Sequence, residues 1–181
     1  MHSPIVTPAA LDDLSLRAQL SDRRRFNLNL HDHLEAPVQR LFNALEPETY
    51  IPPHRHAREE GWELMVAVRG HFSILLFEDD GRLRSRHELS PEGPVLAFEI
   101  PPRSWHSVVA MATRTILLEI KEGPYSPLPK EDFAPWAPTE QSQGRQAFLA
   151  WMKEAGPGDY PPPQEAAAES VSGPALAPPR H

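Results

Sequence analysis

The fold is decided by two stretches: Tyr50-Ile-Pro-Pro-His-Arg-His56 and, after a short connection, Glu63-Leu-Met-Val-Ala-Val-Arg-Gly70. His54 and His56 lie two residues apart, so in an extended segment their side chains project to the same side. Glu63 begins the apolar run of the second stretch. If the two stretches form antiparallel strands joined through residues 57–61, Glu63 lies opposite the histidine pair. Two imidazoles and one carboxylate on a common face predict a site for a divalent metal ion.

Composition and charge exclude several classes of function. The chain has 181 residues, which is enough for one core of ordinary size plus tails. It contains no cysteine, which excludes a disulfide framework, a thiolate zinc site and a cysteine nucleophile. The net charge of −7 argues against a nucleic-acid partner, and Arg23-Arg24-Arg25 is too short a basic run to reverse this.

The ends and the apolar runs of the chain predict no association with a membrane. The first residues show neither the charged segment nor the apolar segment of a signal peptide. The longest apolar stretch, residues 64–77, is interrupted by Arg69, Gly70 and His71 and is unsuited to spanning a bilayer. We therefore expect a soluble cytoplasmic protein without a membrane partner.

Hydrophobic periodicity predicts a mainly β chain flanked by two helices. Thr7 and Pro8 are typical of a helix start, and Thr139 is a candidate cap for a second helix that ends near Ala155. Between the helices, about nine short strands separated by turn signals favour an antiparallel sandwich or barrel. The predicted strands cover residues 26–30, 38–45, 49–53, 62–69, 72–77, 82–89, 95–100, 106–110 and 114–121.

Two motifs in this pattern resemble those of the cupins. The series His54-Arg-His56, Glu63 and Gly70 is similar to the first cupin motif, and Pro101-Pro-Arg-Ser-Trp-His106 is similar to the second, Pro-x-Gly-x-x-His. The resemblance is closer to the WbuC-type cupin fold metalloproteins. It extends over residues 20–140 and includes Tyr50, Trp105-His106, Asn43-Ala-Leu-Glu-Pro47, Lys121-Glu-Gly-Pro-Tyr125 and Phe133-Ala-Pro-Trp-Ala-Pro138.

The resemblance implies a single small antiparallel double-stranded β-barrel, the cupin or jelly-roll fold, around one divalent metal ion. The implied ligands are three histidines and one glutamate: His54, His56, Glu63 and His106. Such a donor set suits Fe(II), Mn(II), Ni(II), Co(II) or Zn(II). We expect four segments: an N-terminal helix and arm (1–22), the cupin barrel (23–138), a C-terminal helix (139–156) and a disordered tail rich in proline and alanine (157–181).

The chain departs from the cupin pattern at three positions. Glu48 stands where the first motif begins with glycine, and Arg103 replaces the glycine of the second motif. The gap between His56 and the next motif residue is longer than usual. As a result Glu60 fits the spacing from the histidines, whereas Glu63 fits the spacing to the closing glycine. We prefer Glu63 as the ligand because the start of a strand fixes a side chain better than a loop does.

The resemblance implies a metal-dependent enzyme that acts on a small polar molecule such as a sugar or a sugar derivative in polysaccharide metabolism. An isomerase or epimerase and a dioxygenase both fit, and the alternative is a non-catalytic metal- or ligand-binding protein that serves as a sensor or accessory. Tyr50 is a candidate proton donor, with a core tyrosine as the competing interpretation. Lys121, Tyr125 and Arg103 are candidate substrate-binding residues. Pairing of two copies through an open sheet edge is also expected.

Overall fold

In the computed structural model, residues 4–57 and 61–163 are described, and these ranges contain two helices and eight strands. In chain order the elements are α1 (Pro8–Leu20), β1 (Arg25–Asn29), β2 (Val38–Leu45), β3 (Glu63–Arg69), β4 (Phe72–Phe77), β5 (Leu83–Leu89), β6 (Ala97–Ile100), β7 (Trp105–Ala110), β8 (Thr115–Glu122) and α2 (Arg145–Glu154), with a 3-10 turn at Lys130–Asp132 before α2. Neither helix of the described ranges is long and apolar enough to cross a membrane.

The strands form two antiparallel sheets. One sheet has five strands in the order β1-β2-β8-β3-β6, and the other has three in the order β5-β4-β7. Apolar side chains from both sheets share one buried cluster, which includes Met65 and Leu117 from the first sheet and Ile74 and Val108 from the second. The two sheets therefore pack face to face, an arrangement consistent with a cupin-like jelly roll. The expected single closed barrel is not confirmed, because no ladder between described strands joins the two sheets.

Apolar β-rich runs and the turn residues that flank them account for the strands with the clearest boundaries. β2 and β4 span the predicted residues, 38–45 and 72–77. Gly70 makes the tight connection between β3 and β4 with a φ of +73°, and a Cβ at this position would lie 2.6 Å from Thr115 Oγ1. Glycine is required at this turn both for its backbone conformation and for the close approach of β8.

Three structural expectations are wrong, and the expectation for the C-terminal tail is not tested. Residues 49–53 are extended but form no ladder, because Pro52 and Pro53 lack the N–H groups that a ladder needs. Helix α2 begins at Arg145, with Gly144 as its N-cap, while Thr139 forms a separate turn in which its hydroxyl bonds to that of Ser142 at 2.8 Å. Most of the predicted tail, residues 164–181, lies outside the described residues.

The third error concerns the partner of the histidine segment. β3 pairs with β8 and β6, so the strand that carries Glu63 is not hydrogen-bonded to the histidine segment as expected. His54 instead forms isolated β-bridges with His106 and with Phe133. Glu63 reaches the histidines from the opposite sheet, and the candidate site therefore lies between the two sheets.

Arg103 occupies a backbone conformation that favours glycine. Its φ is +61°, and its N–H donates to the carbonyl oxygen of His56 at 3.1 Å. The turn thus retains the conformation that a glycine in the second motif would adopt freely, but with an arginine in the left-handed region.

Replacement of Arg103 by glycine is expected to stabilise the protein. Arg103→Gly should raise the free energy of unfolding by about 1 kcal/mol, because it relieves the left-handed strain of a non-glycine residue. Urea unfolding measures the change. The matched control is Arg84→Gly in the extended strand β5, which should lose about 0.5–1 kcal/mol. An equal loss of stability in both variants would contradict this account of the turn.

Candidate functional site

Four side chains that could hold a metal ion meet between the sheets. One ligand atom from each of His54, His56, Glu63 and His106 lies within 4.8 Å of the other three. Glu63 is the first residue of β3, and His106 is the second residue of β7. His54 is fixed against β7 by two backbone hydrogen bonds, from its own N–H to His106 O at 3.0 Å and from the His106 N–H to its own carbonyl at 2.8 Å.

Backbone carbonyls orient two of the imidazoles. His54 Nδ1 lies 3.0 Å from Pro52 O, and His106 Nδ1 lies 2.9 Å from Ser104 O. Because a carbonyl oxygen can only accept, each Nδ1 carries a proton and donates it. The neutral ring then presents an unprotonated Nε2 on its other side, as in histidines that bind metals. For His54 the neutral form is favoured further, since burial and the nearby His106 lower its pKa to about 3.

Glu63 is a buried carboxylate, and 2% of its surface is exposed. Its Oε1 lies 3.0 Å from His56 Nε2 and from Lys121 Nζ, and its Oε2 lies 3.0 Å from His106 Nε2. Burial by itself raises the pKa of Glu63, but the Lys121 ammonium and the contacts from His106 and His56 outweigh it. The pKa of Glu63 is held well below its usual range, so the carboxylate is ionised.

The spacing of these atoms is compatible with a metal ion bound between them. The Nε2 atoms of His56 and His106 are buried and have no hydrogen-bond partner among the described residues, although Glu63 oxygens lie 3.0 Å from both. Two ligand atoms at about 2.1 Å from one ion, on perpendicular bonds, are themselves about 3.0 Å apart. Three imidazoles and one carboxylate are also donors that divalent transition metals accept.

A row of partly buried polar side chains supports Glu63 from behind. Lys121 Nζ contacts Glu119 Oε1 at 2.6 Å as well as Glu63, and Asn43 Nδ2 donates to Glu119 Oε2 at 2.7 Å. Burial alone would lower the pKa of Lys121, but Glu119 and Glu63 outweigh it and raise this pKa above its ordinary value. Lys121 is therefore a fixed cation beside the candidate ligand. The sequence offered no sign of this row, because its members lie on two strands, β2 and β8, whose pairing was not predicted.

The arginine between the two histidines holds their segment in place. The Arg55 guanidinium lies 4.4 Å from the ring centroid of Trp105, and its Nε lies 3.5 Å from Asp132 Oδ1. The Arg55 N–H also donates to Asp132 O at 2.9 Å. Trp105 in turn donates from Nε1 to Asp79 Oδ1 at 3.0 Å. These contacts anchor the face of the segment that points away from the candidate ligands.

A cavity of about 710 Å³ opens beside the four residues, and we call it the central cavity. His54, His56 and Glu63 line it, together with two of the candidate substrate-binding residues, Lys121 and Tyr125. Further polar groups come from Gln39, Glu122, Ser126 and Asp132. Its volume lies within the range of small-molecule sites, which is roughly 300–1,000 Å³.

Tyr50 and Arg103 lie away from the central cavity. The Tyr50 hydroxyl donates to Pro138 O at 2.7 Å, and its ring packs edge-on against Phe148 at a centroid distance of 6.1 Å. Burial, together with Glu140, raises the pKa of this hydroxyl. The core-tyrosine interpretation therefore describes its position. The Arg103 side chain is exposed and does not line the central cavity. Glu60, the competing carboxylate, lies outside the described residues.

Comparisons with known proteins identify no function for the chain. A family model described as "Domain of unknown function (DUF6016)" matches residues 6–89. No curated protein sequence matches the chain.

Three solved structures show partial similarity to the chain. KdgF from Halomonas sp. is 20% identical with a TM-score of 0.42, covering 56% of this chain and 82% of its own. A cupin superfamily protein from Desulfitobacterium hafniense DCB-2 is 16% identical with a TM-score of 0.43, covering 58% and 85%. Oxalate oxidase in complex with the substrate analogue glycolate is 16% identical with a TM-score of 0.46, covering 58% of this chain and 54% of its own.

The lowered pKa of His54 makes the stability of the metal-free protein sensitive to acid. The unfolded chain gains a proton at this residue near pH 6.5, whereas the folded protein gains it only near pH 3. The free energy of unfolding should therefore fall as the pH drops below 6.5, by up to about 1.4 kcal/mol per pH unit. Urea unfolding in EDTA at several values between pH 7 and pH 4.5 measures the slope. His54→Gln should flatten the slope, while His33→Gln, an exposed control, should not; equal slopes in all three proteins would refute this role of His54.

Proposed function

We propose that the protein is a metal-dependent cupin of the WbuC type that binds one divalent transition metal ion through His54, His56, Glu63 and His106. One observation carries the proposal: a ligand atom from each of the four residues lies within 4.8 Å of the other three, and the Nε2 atoms of His56 and His106 face the two oxygens of Glu63 at 3.0 Å. Three imidazoles and one carboxylate that converge in a buried site form a donor set that a divalent transition metal accepts. The carbonyl partners of His54 and His106 keep both rings turned toward that site.

We further propose that the central cavity binds a small polar molecule such as a sugar or a sugar derivative. Its wall combines hydrogen-bonding groups from Gln39, Lys121, Glu122 and Tyr125 with the apolar surfaces of Trp62 and Phe133. This mixture of donors, acceptors and flat apolar faces suits a hydroxylated ring. A metal ion at the four residues would polarise an oxygen atom of the molecule in the cavity. Lys121 would supply a fixed positive charge and hydrogen-bond donors on the same side.

A non-catalytic binding protein is the second candidate, and the positions of the Tyr50 hydroxyl and the Lys121 ammonium favour it. The Tyr50 hydroxyl is committed to Pro138 O, and Lys121 is kept protonated by Glu119 and Glu63. Neither group is placed to remove a proton from a bound molecule at neutral pH. The two candidates separate in one assay, in which the metal-loaded protein is incubated with sugars and nucleotide sugars and followed by NMR. Binding with conversion supports an enzyme, and binding without conversion supports a sensor or accessory protein.

Loss of a ligand side chain should abolish stoichiometric metal. Elemental analysis of protein purified without an affinity tag should find one divalent ion per chain in the wild type and almost none in His54→Ala or His106→Ala. His33→Ala, an exposed control, should retain it. Glu63→Gln should weaken the metal affinity by at least about tenfold, and Glu60→Gln should do so less. Full metal content in both histidine variants would refute the site, and a larger effect of Glu60→Gln would transfer the carboxylate ligand to residue 60.

A further inference from the structure

A second cavity adjoins the candidate metal centre, and cationic side chains outnumber acidic ones in its lining. We call it the arginine cavity; its volume is about 1060 Å³, and it shares His54, Leu128 and Phe133 with the central cavity. Three cationic side chains line it, those of Arg23, Arg25 and Lys130, but only two acidic ones, those of Glu131 and Glu140. The central cavity has the opposite balance, with three carboxylates and one ammonium.

The cationic end of the arginine cavity is a built arrangement in which two guanidinium groups share one carboxylate. Arg23 binds Glu140 with two hydrogen bonds, from Nε to Oε1 at 2.8 Å and from Nη2 to Oε2 at 3.0 Å. Arg25 Nη2 also lies 2.8 Å from Glu140 Oε1, and Arg25 Nη1 donates to Tyr50 O at 2.9 Å. The Arg25 side chain is only 17% exposed, so its charge is held at the wall rather than in bulk solvent. With two guanidinium groups and one carboxylate, this cluster carries a net charge of +1.

The remainder of the wall is apolar. Ile51, Leu128, Phe133, Pro135 and Pro138 line the cavity beyond the charged end. Phe133 is 40% exposed, which is unusual for a large aromatic side chain and leaves its ring face available to a ligand. The ligand that such a wall recognises has an apolar body and an anionic group at one end.

We propose that the arginine cavity binds a small amphipathic organic anion, with its phosphate or carboxylate group against Arg23 and Arg25 and its apolar body against Leu128 and Phe133. The paired N–H donors of a guanidinium group match two oxygens of either a carboxylate or a phosphate. The excess positive charge is local, since the whole chain carries a net charge of −7. This also assigns a role to the basic run at residues 23–25. Arg24, between the other two, lies instead 3.6 Å from Glu48.

Phenyl phosphate is a suitable probe, because it joins a dianion to an apolar ring. Its affinity should be measured by calorimetry on full-length protein treated with EDTA, so that a metal ion plays no part. We expect it to bind more tightly than inorganic phosphate, which lacks the ring, and than benzyl alcohol, which lacks the charge. Equal affinity for phenyl phosphate and inorganic phosphate would overturn the apolar half of the proposal.

Two variants at the cluster should shift this affinity in opposite directions. The Arg23 side chain is 61% exposed and is bonded to Glu140. Arg23→Gln should weaken the binding of phenyl phosphate about tenfold, because it removes one charged donor. Glu140→Gln should tighten it several-fold, because the competing carboxylate is gone. Arg84→Gln, the matched control in β5, should leave it unchanged. Wild-type affinity in both cluster variants would overturn the proposal.

The location of the anion is tested with a variant of the central cavity. If Lys121→Met abolishes phenyl phosphate binding while Arg23→Gln leaves it intact, the anion occupies the central cavity and the proposal is wrong. The metal content of Arg23→Gln is measured in parallel and should equal that of the wild type. Failure of anion binding is thereby distinguished from failure of the metal site.

Discussion

The burial of the Glu63 carboxylate between the two sheets is the constraint on which the rest of the site depends. An ionised carboxylate in this position is stable only if cations or donors surround it, and the chain brings Lys121 from β8 and two imidazoles from the facing side. Lys121 in turn needs Glu119, and Glu119 takes a hydrogen bond from Asn43. A single buried charge on β3 is therefore linked to polar residues on two further strands of the same sheet, β8 and β2.

The two cavities that meet at His54 differ in the charge of the side chains that line them. The central cavity is acidic and suited to a metal ion with a polar ligand, whereas the arginine cavity combines apolar walls with excess positive charge. The segment that contains Leu128 and Phe133 lines both cavities. His54 is thus both a candidate metal ligand and part of the boundary between two binding environments.

The sequence was sufficient for the elements whose signals are local. Apolar β-rich runs and the turn residues beside them predicted β2 and β4 at their observed bounds, and Thr7 caps α1 as its position before Pro8 indicated. The motif spacing selected four residues that the structure brings together. The rest depends on tertiary contacts: Tyr50 has the right periodicity for the site, yet its hydroxyl finds Pro138, 88 residues along the chain. The Lys121–Glu119–Asn43 row likewise requires a strand pairing that periodicity does not specify, and the arginine cluster requires Glu140, 117 residues along the chain from Arg23.

Anomalous X-ray diffraction tests the central claim most directly. Crystals of untagged protein would be grown after incubation with equimolar Mn(II), Fe(II) or Zn(II), and data would be collected on both sides of the absorption edge of the metal. The account predicts one strong anomalous peak per chain, within bonding distance of Nε2 of His54, His56 and His106 and of a Glu63 oxygen. A metal peak elsewhere in the chain, or none at these four residues after incubation with each ion, would contradict it.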